Sequence, residues 1–390
     1  MYNLNCFFKA ANVSQRPILE IALEALRLRF SYPYLDLSEY LDFQLYLNDL
    51  TFSEKAAFCG HRMQSTLIEI VVDEYSKFMA IDKVTMYFLF RASGFPTPEI
   101  HAIYRSRRPS VLLNIATPQD LEDYLRKPGS LPIYFKRSSG SYGHGNTLAD
   151  HLNGDMLHLG TGSSEPLRDF CCSLDDGGTL GWILQEPLTA HSEIAEISGT
   201  EKISSIRIHT ILLDSGPQIM KAIFKVNVGN LDCDNFDHGK TGNLLGAVDI
   251  KTGKIFRIIS GTGLDQIENP LHPKTGRNLI GFELPYWNKV VELVLEAHLA
   301  FPGYLCPGWD VAICETGPTI LELNYFGDLK LSQHAYRRGF IDPEFMNFLQ
   351  IWKINKMLYM TPKRRRKLLA SSGASLIKGH VGIKRHHWQW

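Results

Sequence analysis

The stretch Tyr134-Phe-Lys136-Arg-Ser-Ser-Gly140-Ser-Tyr-Gly143-His-Gly145 constrains this chain most. An apolar strand carrying one lysine runs directly into a glycine-rich loop. A cation is then fixed at the strand end, and a loop with few side chains lets backbone N–H groups close over phosphate oxygens. Glycine-rich hairpins are common, and most carry no ligand. A second segment gives this one its meaning.

That segment is Trp309-Asp310-Val-Ala-Ile-Cys-Glu315-Thr-Gly-Pro318-Thr-Ile-Leu-Glu322-Leu-Asn324, two apolar runs around a turn signal, which reads as a β-hairpin. Glu322 and Asn324 lie two apart on one strand and leave the same face. A loop with an odd number of residues, such as 315–317, puts Asp310 directly opposite Glu322. Three hard oxygen donors then converge, a set that suits Mg²⁺ together with nucleotide phosphates and water.

With these two segments in hand, the chain resembles the ATP-grasp superfamily, and within it most the sugar-transfer-associated ATP-grasp family. The resemblance covers roughly residues 77 to 335. It rests on ordered motifs: Asp82-Lys83 with Gly94-Phe-Pro96-Thr-Pro98, the Lys136 strand and loop, and Leu184-Gln185-Glu186-Pro-Leu188 with His191. Further along come Ser204-Ser-Ile-Arg207-Ile-His-Thr210, Asp234-Asn235, His272-Pro-Lys-Thr-Gly276 and the hairpin of Asp310, Glu322 and Asn324. The resemblance implies an α+β fold, two α+β lobes sandwiching ATP, preceded by a helical segment. The expected division is a helical region over 1–80, an N-terminal lobe over 81–188, a C-terminal lobe with the metal site over 189–345, and a helix with a basic tail over 346–390.

Carried over position by position, the resemblance gives Lys83 and Lys136 to the α and β phosphates. Ser138, Ser139, Gly140, Ser141, Gly143 and Gly145 belong to a loop closing over the β and γ phosphates. Gln185, Glu186 and Leu188 line the adenine cleft, and Glu193, or His191 beside it, holds the ribose. Asp310, Glu322 and Asn324 hold Mg²⁺, two ions by analogy. Arg207 is the residue expected to stabilise charge on the transferring phosphoryl group, with Lys225 assisting. Two positions depart from the family pattern. Ser205 stands where Asn is usual, and Lys225-Val-Asn where Arg-x-Gly is frequent; both bear on the acceptor pocket.

The implied reaction is carboxylate activation by ATP to an acyl phosphate, followed by attack of an amine to give an amide. The acid is a small molecule or a sugar-linked carboxylate. Two alternatives stay open at this point: an ATP-grasp kinase or phosphotransferase, whose product keeps the phosphate, and a non-catalytic ATP-binding scaffold. Substrate contacts are expected in 228–246 and 261–281, where His238, Lys240, His272 and Lys274 could hold a carboxylate.

The chain has 390 residues, 44% of them hydrophobic, enough for two or three cored domains. Its seven cysteines are odd in number, scattered and free of Cys-x-x-Cys, which argues against a disulfide framework or a zinc site. No leader-like segment or membrane-length apolar run is present, so a cytoplasmic location is expected. Net charge is zero, yet 361–390 carries eight Lys and Arg and no acid, leaving 33 basic against 41 acidic residues elsewhere. This tail reads as solvated, with docking on an anionic surface or a carrier, aided by Trp388 and Trp390, as the sharper alternative. No basic patch with interleaved aromatics occurs in the body, and nucleic acid is not an expected partner.

Residues 17 to 30 read as a helix with Ile18, Ile21, Leu23, Ala25, Leu26 and Phe30 near one stripe. Thr51-Phe-Ser-Glu54 fits a capping box, and 68 to 90 continues in helical register. Thr117-Pro118 caps another helix. Residues 149 to 180 suggest short polar strands. Residues 205 to 225 suggest a long hairpin turning at Asp214-Ser-Gly-Pro217, and 286 to 301 an amphipathic helix presenting Val290, Val294, Ala297 and Phe301.

Overall fold

The N-terminal sequence is divided into short helices, α1 (Leu4–Ser14), α2 (Ile18–Phe30), α3 (Leu37–Asp42), α4 (Phe52–Lys55), α5 (His61–Val71), α6 (Glu74–Ile81) and α7 (Lys83–Ala92), by polar caps at Asp36, Thr51, Asp73 and Asp82, with Pro17 and Gly60 ahead of α2 and α5. The computed structural model describes residues 4–108, 110–140, 145–174 and 180–371; Ser141, Gly143 and the tail from 372, with Trp388 and Trp390, lie outside them. The capping box at Thr51 forms, with Glu54 N–H donating to Thr51 Oγ1 at 3.3 Å and Thr51 N–H to Glu54 Oε2 at 2.8 Å, but it opens only one turn. The helical run expected over 68–90 is broken twice. Asp73 accepts from the N–H of Tyr75 and Ser76, and Asp82 from those of Val84 and Thr85, so each aspartate starts a new helix. The stripe expected on α2 is also corrected: Ile21, Ala25 and Leu28 face inward, while Leu23, Leu26 and Phe30 are exposed.

The next block is a sheet of seven strands, β1 (Ile100–Tyr104), β2 (Leu113–Ile115), β3 (Ile133–Arg137), β4 (Thr147–Asn153), β5 (Met156–Leu159), β6 (Ser164–Pro166) and β7 (Trp182–Gln185), in the order β2-β1-β7-β3-β4-β5-β6. Helix α8 (Pro118–Leu125) begins at the expected Thr117 cap; α9 (Leu167–Ser173) is a helix inside a segment expected to be polar strands. Leu121, Leu125, Leu167 and Phe170 from these helices pack on Phe135 and Leu184. Alternation along the strands then sends Tyr134, Lys136, Ile183 and Gln185 to the opposite face.

After α10 (Ser192–Ser198) comes a second seven-stranded sheet: β8 (Ser205–Leu213), β9 (Gly216–Val226), β10 (Leu244–Val248), β11 (Ile255–Ser260), β12 (Ile267–Glu268), β13 (Gly308–Cys314) and β14 (Gly317–Asn324), in the order β12-β11-β10-β9-β8-β13-β14. Helix α11 (Trp287–Ala300) buries Val290, Val294 and Ala297 against Ile206, Ile208, Phe224 and Val311. Phe301 meets Phe90 of α7 edge-on at 5.5 Å. The other face of this sheet carries Ser205, Arg207, Lys225 and Asp310. The described residues end with α12 (Leu329–Tyr336), α13 (Pro343–Ile351) and α14 (Pro362–Ser371).

A candidate active site between the two sheets

The polar faces of the two sheets meet in one cleft of about 1130 Å³, lined by Lys83, Lys136 and Gln185 on one side and Arg207, Lys225, Asp310, Glu322 and Asn324 on the other. The spatial meeting expected from the sequence is present.

Lys83 ties the sheets together. Its N–H donates to Ser138 O at 3.1 Å and its ammonium to Gly140 O at 2.9 Å, while Glu322 Oε1 stands 3.3 Å away. Lys136 projects from β3 into the cleft. Burial lowers it to about 8; Glu322 and Asp310 pull the other way, and the charge of Lys83 adds to the lowering. A lysine held in that state is short of anions.

On the opposite wall Arg207 grips Asp310 with a two-pronged contact, Nε to Oδ1 and Nη2 to Oδ2, the latter at 2.8 Å. Lys225 Nζ stands 3.5 Å from Asp310 Oδ2 and 3.4 Å from Asp234 Oδ1. Burial alone would raise the Asp310 carboxyl, but Arg207 and Lys225 hold it well below the usual carboxylate range. Burial likewise opposes the charge on Lys225, and Asp234 and Asp310 raise it despite that. Asp234 is itself fixed by the Ser205 N–H, which donates to Oδ2 at 2.6 Å.

Asp310 stands opposite Glu322, as expected, for a different reason than the one given by the sequence. The turn holds two residues, with Cys314 paired to Gly317 (φ +120°), and a bulge between Asp310 and Val311 skips Leu321. The bulge supplies the odd residue. The ligand set fits Mg²⁺ in chemistry: two carboxylates and, through its Oδ1, the Asn324 amide at one corner of the cleft. Asn324 Nδ2, buried and without a partner among the described residues, is a spare N–H donor suited to an acceptor oxygen. Asp310 is already committed to Arg207 and Lys225, which makes Glu322 and Asn324 the freer pair. Among the described residues no three His, Cys, Asp or Glu side chains converge on a metal position.

Gln185 is buried opposite Tyr134, and Glu186 and Leu188 line the cleft beyond it. Glu186 also extends the β1–β7 ladder by one pair: its N–H donates to Glu99 O at 2.9 Å and its carboxylate accepts from Glu99 N–H at 2.8 Å. Gly140 lines the cleft, whereas Ser138, Ser139 and Gly145 do not. Among the described residues Ser138 Oγ is buried without a partner, and a Cβ on Gly145 (φ +80°) would come within 2.9 Å of the Trp182 ring.

Several expected residues are elsewhere. Glu193 is exposed on the first turn of α10 and does not line the cleft; His191 caps that helix, its Nδ1 accepting from Glu193 N–H at 3.2 Å. His272 accepts from the N–H groups of Lys274 and Thr275 and so shapes a turn, and Lys274 donates to Asn230 Oδ1 at 2.8 Å. Neither of these, nor Lys240, lines the cleft, while Asn235, His238 and Thr262 do.

Some cleft residues escaped the sequence reading. Asp328 caps α12, and the Gly327-Asp328 turn after β14 was a legible cap signal. His61 and Gln64 come from α5, where single polar residues on an amphipathic helix give no signal. Asp232 reaches across to the first sheet: its carboxylate accepts from Leu148 N–H and its carbonyl from Tyr134 Oη, each at 3.0 Å, and Lys202 Nζ lies 3.0 Å away.

Residues 62–345 match the family described as sugar-transfer associated ATP-grasp, and the chain belongs to that family. No curated protein matches it. Among solved structures it is similar to carboxyaminoimidazole ribonucleotide synthase from Aspergillus clavatus (11% identity, 66% of this chain and 50% of that one, TM-score 0.36). It is also similar to L-amino acid ligase from Bacillus licheniformis (12%, 80% and 55%, 0.41) and D-alanine-D-alanine ligase from Coxiella burnetii (10%, 81% and 68%, 0.39). The chain spans about half the length of the synthase structures it matches. Identification of the family rests on the 62–345 match.

Proposed function

We propose that this protein is an ATP-dependent carboxylate–amine ligase that forms an amide through an acyl phosphate, releasing ADP and phosphate. One observation carries the reading: Lys136 on β3, with Lys83 at the start of α7, and the Arg207–Asp310–Glu322 group of the second sheet face each other across a single cleft of nucleotide size.

In this reading Lys83 and Lys136 bind the phosphates, and the shortage of anions around Lys136 is what a phosphate would relieve. Nε and Nη2 of Arg207 are committed to Asp310, so Nη1 is the arm that meets a phosphoryl oxygen as charge grows on it. Lys225, buried and held charged, adds a second fixed cation on the same wall. Asp310, Glu322 and Asn324 would hold Mg²⁺, which when bound neutralises phosphate charge. The chain's own contribution is to align a carboxylate oxygen with the γ phosphorus and to keep water out. Asn235, His238, Thr262 and Asp328 are the groups around the acid and the amine; the acid is a small or sugar-linked carboxylate. The cytosol supplies the ATP.

The test is hydroxylamine trapping with ATP, Mg²⁺ and a panel of amino acids, uronic acids and other sugar-linked acids. Hydroxamate with stoichiometric ADP supports the ligase. A stable phosphorylated product would make it a phosphotransferase, and nucleotide binding with no ADP release across the panel would make it a scaffold.

A further inference from the structure

The basic run at 363–367 has no part in the chemistry above. Its described residues fold into α14, and the helix is pinned rather than free. Arg365, 4% exposed, donates from Nε to Glu69 Oε2 of α5 at 2.8 Å and from Nη1 to Met360 O at 3.2 Å. Lys363, Arg364 and Arg366 are left facing outward.

An apolar surface runs into the root of this helix. Tyr359, an exposed residue three positions before α14, packs on Tyr32 with ring centroids 5.2 Å apart, and Tyr32 lies in the turn that follows α2. Helix α2 is apolar on both faces. Ile21, Ala25 and Leu28 fill the core of the N-terminal region, whereas Leu19, Leu23, Leu26 and Phe30, spaced four, three and four, are between 40% and 79% exposed. Glu20, Glu24, Arg27 and Arg29 separate the two apolar faces, and an exposed apolar stripe of this size bordered by charge marks an interaction surface. Acids near this surface are already held: Glu20 by Arg16 at 2.6 Å, Asp36 by Arg29 at 2.5 Å, and Glu69 by the buried Arg365 at 2.8 Å. Arg366 also touches Glu69, at 3.2 Å, but its side chain is 76% exposed, and the two arginines outnumber the one acid, so a net positive charge stays at the surface. Three outward cations beside an uncovered leucine and phenylalanine stripe make up the composition of a face that lies in a membrane interface.

We propose that the α2 stripe and the outward face of α14 together dock this protein peripherally on an anionic lipid bilayer. The leucines and Phe30 enter the boundary between headgroups and acyl chains, and Lys363, Arg364 and Arg366 meet the headgroup phosphates. A second copy of the chain would cover the stripe but leave the cations in water; an anionic bilayer covers both. No helix among the described residues is long and apolar enough to cross a membrane, so attachment here is to one surface.

The test is flotation of the full chain with vesicles of phosphatidylcholine alone or with about 30% phosphatidylglycerol, at low and high salt. Two variants accompany it, Lys363→Glu/Arg364→Glu/Arg366→Glu and Leu23→Gln/Leu26→Gln, both remote from the cleft and checked for an unchanged nucleotide-induced shift in Tm. The native chain is expected to float with the anionic vesicles only, and less at high salt. The charge variant should lose roughly a hundredfold in affinity for three cations near the surface. The leucine variant should lose at least tenfold. Failure of the native chain to bind anionic vesicles would overturn the proposal. So would native-like binding by both variants, which would assign attachment to residues 372–390. A dimer in light scattering that Leu23→Gln/Leu26→Gln converts to a monomer would overturn it too, by giving the stripe to a second copy.

Discussion

Asp310 faces Glu322 across the β13–β14 hairpin because Leu321 is bulged out of the ladder. A regular ladder that paired Leu321 would, from the same two-residue turn, place Asp310 opposite Leu321, and Glu322 and Asn324 would point to the other side of the sheet. With Leu321 present, the oxygen cluster therefore depends on a backbone irregularity as much as on its side chains.

Deleting Leu321 removes the bulged residue while Val311 stays opposite Ile320, so Glu322 should remain opposite Asp310 in a regular ladder and the rise in Tm caused by nucleotide should persist. Glu322→Gln tests the side chain instead. It keeps the bulge and the fold, so Tm should stay within a few degrees while ADP release falls by at least a hundredfold, measured side by side in a coupled assay.

Arg207→Ala leaves Asp310 buried with only Lys225 nearby. A loss of about 3–5 kcal/mol of stability is expected from breaking such a pair on one side, measured by denaturant unfolding. Arg207→Lys keeps a charge but not the two-pronged contact, and should fold while losing on the order of a hundredfold or more in kcat.

How much of this was legible in the sequence follows from particular residues. The strand lysine, the Thr117 cap, the long hairpin and the Asp310–Glu322 pairing all rest on local periodicity and turn chemistry, which a sequence displays. The bulge at Leu321 leaves no local signature, so the right pairing was reached from a wrong loop length. Asp73 and Asp82 carried the cap signal, but the apolar residues around them read as one continuous helix. His61, Gln64 and Asp232 reach the cleft or the opposite lobe through tertiary packing alone. Glu193 shows the converse: its motif neighbours enter the cleft, and the start of α10 turns it out to solvent.

Lys136 gives a pH test with a definite sign. Its folded value of about 8 lies below that of an ordinary lysine, so between about pH 8 and that ordinary value the unfolded chain binds the proton more readily. Stability from this site therefore rises with pH across that window, and Lys136→Met should stabilise the unliganded protein at pH 7 by about 1–3 kcal/mol. The same substitution should abolish the rise in Tm caused by nucleotide. ADP affinity of the native chain should weaken as pH rises through about 8, and Lys136→Arg should flatten that dependence, both readable by titration calorimetry.

Asp232 joins the lobes through the Leu148 N–H and the Lys202 ammonium. Asp232→Ala removes both partners and should speed hydrogen exchange at residues 147–149 by at least tenfold, corresponding to about 1–3 kcal/mol for a buried donor left unpaired. Exchange in α11, on the far side of the second sheet, should be unchanged.

A crystal structure of the protein with Mg²⁺ and a non-hydrolysable ATP analogue tests the central claim most directly. The account predicts phosphate oxygens within hydrogen-bond reach of both Lys83 and Lys136, the adenine beside Gln185 to Leu188, and a metal ion on Glu322 and Asn324. An analogue bound outside this cleft, or bound in it with its phosphates turned away from Lys136 and Arg207, would contradict the account.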